Sequence, residues 1–381
     1  MLKKEMSSQI FALSIHADYR CRHSGACCTA DWDVPVELPV YRSLDERLRL
    51  GSLRVAAQAE PLAPFVLGPD LPEDAAAMLE RTDRGACVFF EQSSHLCVVH
   101  RDAGEQELPA TCRHFPRLSV RDARGTFVTL SHFCPTAASM LFREDVQLEI
   151  IESPTAFPLA DYDGLTVTPD DLPPLLSPSM LMDAPGYAAW ERHMVDRCSA
   201  DESPESVVAT LASDAAQLKT WRPGSEPLDQ HVRRLTPAFI RGEAPASLGS
   251  SFRLREDVVT AIPDDLKPMS DEFDLESAYG TYVRPLWNTF QRPINRYLAA
   301  KAFASWTAYQ GQGIATIVRG LEAALALVRI ESSRQSRHAR RDLDPALLLE
   351  AFRSADFMLN HLAVGDDLAA VWSRVESLGD L

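Results

Sequence analysis

The sequence predicts a mainly α fold with a small β element, an α+β chain in which a cysteine-rich N-terminal domain precedes a helical bundle. Three observations lead there. Seven of the eight cysteines lie between Cys21 and Cys134, prolines crowd the stretch that begins at Ser153, and beyond it apolar residues recur every four positions. The expected division is 1–152 for the cysteine-rich domain, 153–188 for a Pro-rich linker and 189–381 for the α-helical domain.

In chain order, the first domain closes on a β-hairpin. Arg117-Leu118-Ser119-Val120 alternates, a turn follows around Asp122 to Gly125, and Thr126-Phe127-Val128-Thr129-Leu130 alternates again. The linker comes next, where Pro154, Pro158, Pro169, Pro173, Pro174, Pro178 and Pro185 remove backbone donors and forbid a long helix. The pattern then turns helical. Ile294, Leu298, Ala302 and Trp306 form one stripe and Ile317, Leu321 and Leu325 another. A further helix starts with Asp344 as N-cap and Pro345 at its first position, burying Leu348, Phe352, Ala355, Leu359 and Leu362. Gly311-Gln312-Gly313 reads as an interhelical turn, and the arginines at 334, 337, 340 and 341 as a solvated helix end.

Composition narrows the function. At 381 residues, 46% of them hydrophobic, the chain is long enough for two domains with real cores. A formal charge of -16 sets its average surface against phosphate backbones and anionic membranes, so neither nucleic acid nor membrane is the expected partner. The apolar stretch Ile10 to Ile15 falls short of the ~7–15 residues of a signal peptide, and no apolar run approaches the ~20 that span a bilayer. A cytoplasmic location is therefore expected. A reducing compartment disfavours structural disulfides, which leaves metal binding or redox chemistry to explain the cysteines.

The cysteines come in four segments. Cys21-Arg22-His23-Ser24-Gly25-Ala26-Cys27-Cys28 opens the series, with Gly25 permitting a tight turn that returns the vicinal pair toward Cys21. Cys87 and Cys97 follow, then Cys112 in Thr111-Cys112-Arg113-His114-Phe115-Pro116-Arg117, then Cys134 in Ser131-His132-Phe133-Cys134-Pro135. Thiolates are soft ligands that select zinc, cuprous copper or iron–sulfur clusters. Four suffice for a tetrahedral zinc or one four-iron cubane, so a pool of Cys21, Cys27, Cys28, Cys87, Cys97, Cys112 and Cys134 exceeds one site. Arg22, Arg113 and Arg117 would offset the charge of gathered thiolates. The plainer reading, buried cysteines acting as small apolar residues, fits poorly with a vicinal pair flanked by Gly, His and Arg. It does fit Cys198, alone in a helical pattern. His23, His95, His100, His114 and His132 all neighbour cysteines, but each alone reads as a surface or supporting group, and none is assigned as a ligand.

These residues resemble the YkgJ-type family of zinc- or iron-chelating cysteine-cluster proteins, whose opening pattern is C-x-x-C-x-x-C-C. Here it reads Cys21, Ser24, Cys27, Cys28, with serine in place of the second cysteine and one expected ligand fewer. Later elements match in order: Cys87-Val88-Phe89-Phe90, Cys97-Val98-Val99 and Cys112-Arg113-His114-Phe115-Pro116. Gly104-Glu105, Leu108, Thr111-Cys112, Pro116-Arg117, then Ser131 and Cys134-Pro135 are similar to the branch containing the flagellin lysine N-methylases. Asn295-Arg296-Tyr297-Leu298 and Asp356-Phe357-Met358-Leu359-Asn360-His361 look similar too. The resemblance implies an iron–sulfur cluster, a four-iron four-sulfur one, needed for activity. In the methylase branch it also implies S-adenosylmethionine as methyl donor to protein lysines.

Three functions are thus expected in competition. The first is an iron–sulfur or zinc protein with a redox, chelating or cluster-dependent role. The second is an S-adenosylmethionine-dependent protein lysine N-methyltransferase acting on a protein substrate. The third is a zinc-stabilised module that binds a protein partner. No radical-type C-x-x-x-C-x-x-C and no strand followed by G-x-G-x-x-G is present, so no residue is assigned to catalysis or to nucleotide binding.

Overall fold

The alternating segment at 117–130 forms one half of a four-stranded sheet. Arg117–Asp122 and Gly125–Leu130 pair antiparallel from Arg117↔Leu130 to Asp122↔Gly125, so each strand is a little longer than its alternation suggested. The second half is not local. Ile10–Leu13 lies parallel to the second hairpin strand, with Ala12 opposite Val128, and antiparallel to Ile150–Glu152. Gly125 is required at the turn: its φ of 144° lies in glycine territory, and a Cβ there would meet the Gln9 carbonyl oxygen at 2.6 Å.

A computed structural model describes residues 9–30, 32–56, 59, 62–69, 71–157, 173–235, 240–268 and 275–376. Helices dominate, with four small sheets among the described residues, so the chain is mainly α with small β elements. It divides into two compact units, 1–19 with 117–381, and 20–116. These cut points differ from boundaries at 152 and 188. The pairing of 10–13 with 125–130 draws the N-terminal strand and the hairpin into the helical unit and leaves 20–116 as an insertion between them. Much of the expected Pro-rich linker, 158–172, lies outside the described residues.

In the larger unit the helix Ile314–Ala339 is buried along most of its length, Ile317, Leu321 and Leu325 included. It packs against Pro345–Phe357, Gly249–Thr260, Pro204–Leu218 and Gln291–Ala302. Such all-round burial marks a central helix rather than an amphipathic surface one. The Asp344 cap is present: its carboxylate accepts the Leu347 N–H at 2.9 Å, with Pro345 in the first turn. Gly311–Gly313 is a turn leading into the central helix, and at its far end Arg341 pairs with Asp344 at 2.6 Å. The stripe from Ile294 to Trp306 is not one helix. It ends at Ala302, Ala304 takes φ 55°, and Trp306 opens a separate 3₁₀ turn. The break is held by the buried Glu191 carboxylate, which accepts the Ala304 N–H at 3.1 Å. Cys198 sits buried in the helix Ala184–Ser199 as part of the apolar core.

In the unit 20–116, Phe65–Val66, Ala77–Leu79 and Pro35–Val36 form a three-stranded antiparallel sheet, and Phe90–Glu91 pairs with Leu96–Cys97. The helix Leu38–Arg49 and the short helices Val98–Ala103 and Ala110–His114 complete it. Val36, Leu44, Val88, Phe89, Val98 and Val99 make a core separate from that of the larger unit.

Candidate metal centre

Six of the seven cysteines expected to ligate a metal belong to the unit 20–116, and the fold ties their segments together through backbone hydrogen bonds. Gly25, at φ 75°, turns the chain into the 3₁₀ segment Ala26–Cys28, which delivers the vicinal pair. An added Cβ at Gly25 would meet the Phe90 ring at 2.6 Å, so the turn also needs glycine for space. The Cys28 carbonyl accepts the Cys87 N–H at 2.8 Å. Phe90, three residues on, stands opposite Cys97 in the short hairpin, and the Phe89 carbonyl accepts the Val98 N–H at 2.8 Å. Cys112 rides on Ala110–His114, whose first N–H donates to the Glu37 carboxylate at 3.1 Å.

The result is a set of five thiols that feel one another's charge. Cys27 and Cys28 have their sulfurs 3.8 Å apart. Hydrogen bonding within this pair lowers the Cys27 thiol and, with burial and the charges of Cys27, Cys97 and Cys87, raises the Cys28 thiol steeply. Burial pushes Cys87 up to about 12, with Cys97 and Cys27 adding to it. Cys97 is raised by burial and again by Cys27. Cys112 is raised by burial, then by Cys87, Cys97 and Cys27. Buried thiols that oppose each other's ionisation are stable as thiols and become thiolates when a cation is supplied.

The donor set fits a soft metal or an iron–sulfur cluster in chemistry. It fits in one distance as well, since the edge of a tetrahedron with metal–sulfur bonds of about 2.3 Å is about 3.8 Å, the Cys27–Cys28 separation. Among the described residues, however, no group of three or more His, Cys, Asp or Glu side chains is arranged to hold a metal ion. The sulfurs are gathered to electrostatic range rather than to a finished coordination shell.

The other expected residues are placed differently. Cys21 is exposed, its sulfur accepting the His23 N–H at 3.4 Å. Cys134 belongs to the larger unit, where it is buried, immediately precedes the helix Pro135–Met140 and has its sulfur 3.7 Å from the Tyr19 hydroxyl. Of the basic neighbours, Arg22 is exposed and Arg113 lies on the Cys112 helix. Arg117 is part of the larger unit, 5.9 Å from the ring centroids of Tyr19 and Phe157. The cation whose pull is felt at Cys87 and Cys112 is Arg81, which sequence spacing did not single out. Among the histidines, His23 and His100 stack on each other with centroids 5.5 Å apart, and His95 packs edge-on against Phe90.

A second concentration of ionisable groups, also missed, lies in the larger unit. The fully buried Asp356 carboxylate accepts the Ser131 hydroxyl at 2.9 Å, the His132 N–H at 2.7 Å and the Tyr297 hydroxyl at 3.3 Å, and pairs with Lys301. Ser131 Oγ, whose hydrogen is engaged by Asp356, accepts a hydrogen bond from His361 Nε2 at 2.7 Å. His132 and the buried His16 face each other, Nε2 to Nε2, at 3.3 Å. Burial lowers His132 to about 3 and His361 to about 4, so both imidazoles are neutral near pH 7. Burial alone would raise Asp356, but Lys301 and His132 hold it well below the usual carboxylate range. This cluster joins positions 131–132 to 356–361 through the Asp356 carboxylate and ties the hairpin to the C-terminal helices.

Comparison with known protein families, with curated proteins and with solved structures gives no match.

Proposed function

We propose that the unit 20–116 is a cysteine-cluster metal centre that binds an iron–sulfur cluster, with zinc as the alternative occupant. The single observation behind this reading is that the fold gathers Cys27, Cys28, Cys87, Cys97 and Cys112 from four chain segments, Cys87 buried and the others half-buried, within range of each other's charge. A fold with no use for thiolates gains nothing by concentrating five groups that repel once ionised. Cys27 and Cys28 supply two donors from one turn, Cys87 one from the isolated bridge with Arg81, Cys97 one from the strand Leu96–Cys97, and Cys112 one from the short helix Ala110–His114. Bound iron–sulfur would supply electron transfer or a site for cluster-dependent chemistry, and bound zinc would supply folding free energy.

Metal and acid-labile sulfide analysis of the anaerobically purified full-length chain tests this directly. Iron and sulfide in equal amounts, with broad visible absorption, select the iron–sulfur reading. Zinc without sulfide in a colourless protein selects the zinc site. A fully folded protein that holds neither, and takes up neither on reconstitution, refutes the proposal.

A further inference from the structure

Arg81 stands directly opposite Cys87 in an antiparallel bridge. Opposed residues of such a bridge put their Cβ atoms about 5 Å apart on the same face, so the arginine stem and the thiol start out side by side. The turn that follows is fixed by Gly85 N–H to the Thr82 carbonyl and Thr82 N–H to the Ala86 carbonyl, both 2.8 Å. One arm of the guanidinium, Nη1, donates to the Gly85 carbonyl at 2.8 Å. The remaining groups, Nε and Nη2, are buried and have no hydrogen-bond partner among the described residues.

Two buried, unpaired donors on a half-exposed cation are costly, about 1–3 kcal/mol for each unsatisfied group, and their persistence beside a thiol cluster calls for an acceptor. We infer that Arg81 is the counter-cation of the thiolate centre, its Nε–H and Nη2–H groups donating to sulfurs that become anionic when metal binds. This rests on the metal-centre reading and deepens it. Four thiolates around a divalent ion carry a net charge of about -2, and one adjacent guanidinium halves it. The rigid fork suits two acceptors on neighbouring sulfurs, which a lysine ammonium cannot match. Cys87, which the bridge sets beside Arg81, is the first sulfur it serves.

The test compares full-length wild type with Arg81→Gln and Arg81→Lys. Metal affinity is read by chelator competition, and cobalt-loaded samples are read by the energy of the sulfur-to-metal charge-transfer band. Loss of a supporting hydrogen bond to a ligand typically lowers metal affinity by about 10- to 100-fold, the loss expected for Arg81→Gln, with Arg81→Lys in between. The charge-transfer band should move to lower energy in both variants, because sulfur lone pairs released from donors are easier to oxidise. A residue that merely braced the 82–85 turn would change the stability of the metal-free protein and leave that band in place. Equal affinity and an unmoved band in Arg81→Gln overturn the inference. Should that variant fail to fold, an unmoved band in Arg81→Lys does so. A wild type that binds no metal removes the metal-centre reading and this inference together, whereas a metal-binding wild type indifferent to Arg81 removes the inference alone.

Discussion

Replacing Cys28 by serine is the sharpest perturbation of the proposed centre. The residue does two separable jobs: its carbonyl anchors Cys87 through a 2.8 Å hydrogen bond, and its sulfur sits 3.8 Å from that of Cys27. Serine keeps the backbone bond and loses the soft ligand. A structural thiolate site contributes about 12 kcal/mol to folding, which shared over four ligands is about 3 kcal/mol per thiolate. Cys28→Ser should therefore weaken metal binding by about two orders of magnitude. In the metal-free protein the same exchange puts a hydroxyl at a half-buried position and costs about 1 kcal/mol. Cys112→Ser should behave alike, since Cys112 lies within range of the charges of Cys87, Cys97 and Cys27. Cys198→Ser is the contrast. That thiol is 3% exposed in the apolar core of the larger unit, where an unpaired hydroxyl costs about 1–3 kcal/mol, yet metal content should stay at the wild-type value. The assay is metal per chain after anaerobic purification, paired with denaturant unfolding of loaded and metal-free samples. Equal metal loss in all three variants, or metal retained in Cys28→Ser and lost in Cys198→Ser, would refute the division of the cysteines.

Three further outcomes are expected. Gly25→Ala forces an alanine to φ 75° and drives its Cβ to 2.6 Å from the Phe90 ring, so it should destabilise the unit 20–116 by about 2 kcal/mol and lower metal content, measured by unfolding and metal analysis. Acid should weaken the larger unit: His132 titrates at about 3 in the fold against about 6.5 unfolded, so the unfolded chain binds the extra proton first. Stability is then lost as pH falls below about 6.5, by about 2 kcal/mol at pH 5, and a flat unfolding free energy from pH 7 to 5 would contradict that burial. In alkali the metal-free protein should lose stability between pH 9 and about 12, because Cys87 and Cys198 stay protonated in the fold while unfolded thiols ionise. Metal loading should remove the Cys87 share of that slope, which unfolding titrations with and without metal can read.

Local chemistry made much of this protein legible in one dimension. Alternation across 117–130 gave the hairpin, Asp344-Pro345 gave a helix start, and a vicinal cysteine pair behind Gly25 marked a tight turn, because each depends on residues within a few positions of one another. Crowding of cysteines into one third of the chain likewise pointed to the region of the candidate centre. The partition of the chain was decided elsewhere. Strand 10–13 pairs with 125–130 across more than a hundred residues, and that pairing assigns Cys134 and Arg117 to the helical unit while six cysteines remain in the insertion. Ladder bonds between distant strands carry no local signature, so no spacing could reveal them. The same holds for Arg81, which reaches Cys87 only through a bridge, and for Asp356, whose partners Ser131 and His132 lie more than two hundred positions away. Sequence determined which groups can ionise and how short segments bend, whereas tertiary structure decided which of those groups share a buried, low-dielectric space, because only packing removes the water that would otherwise screen them apart.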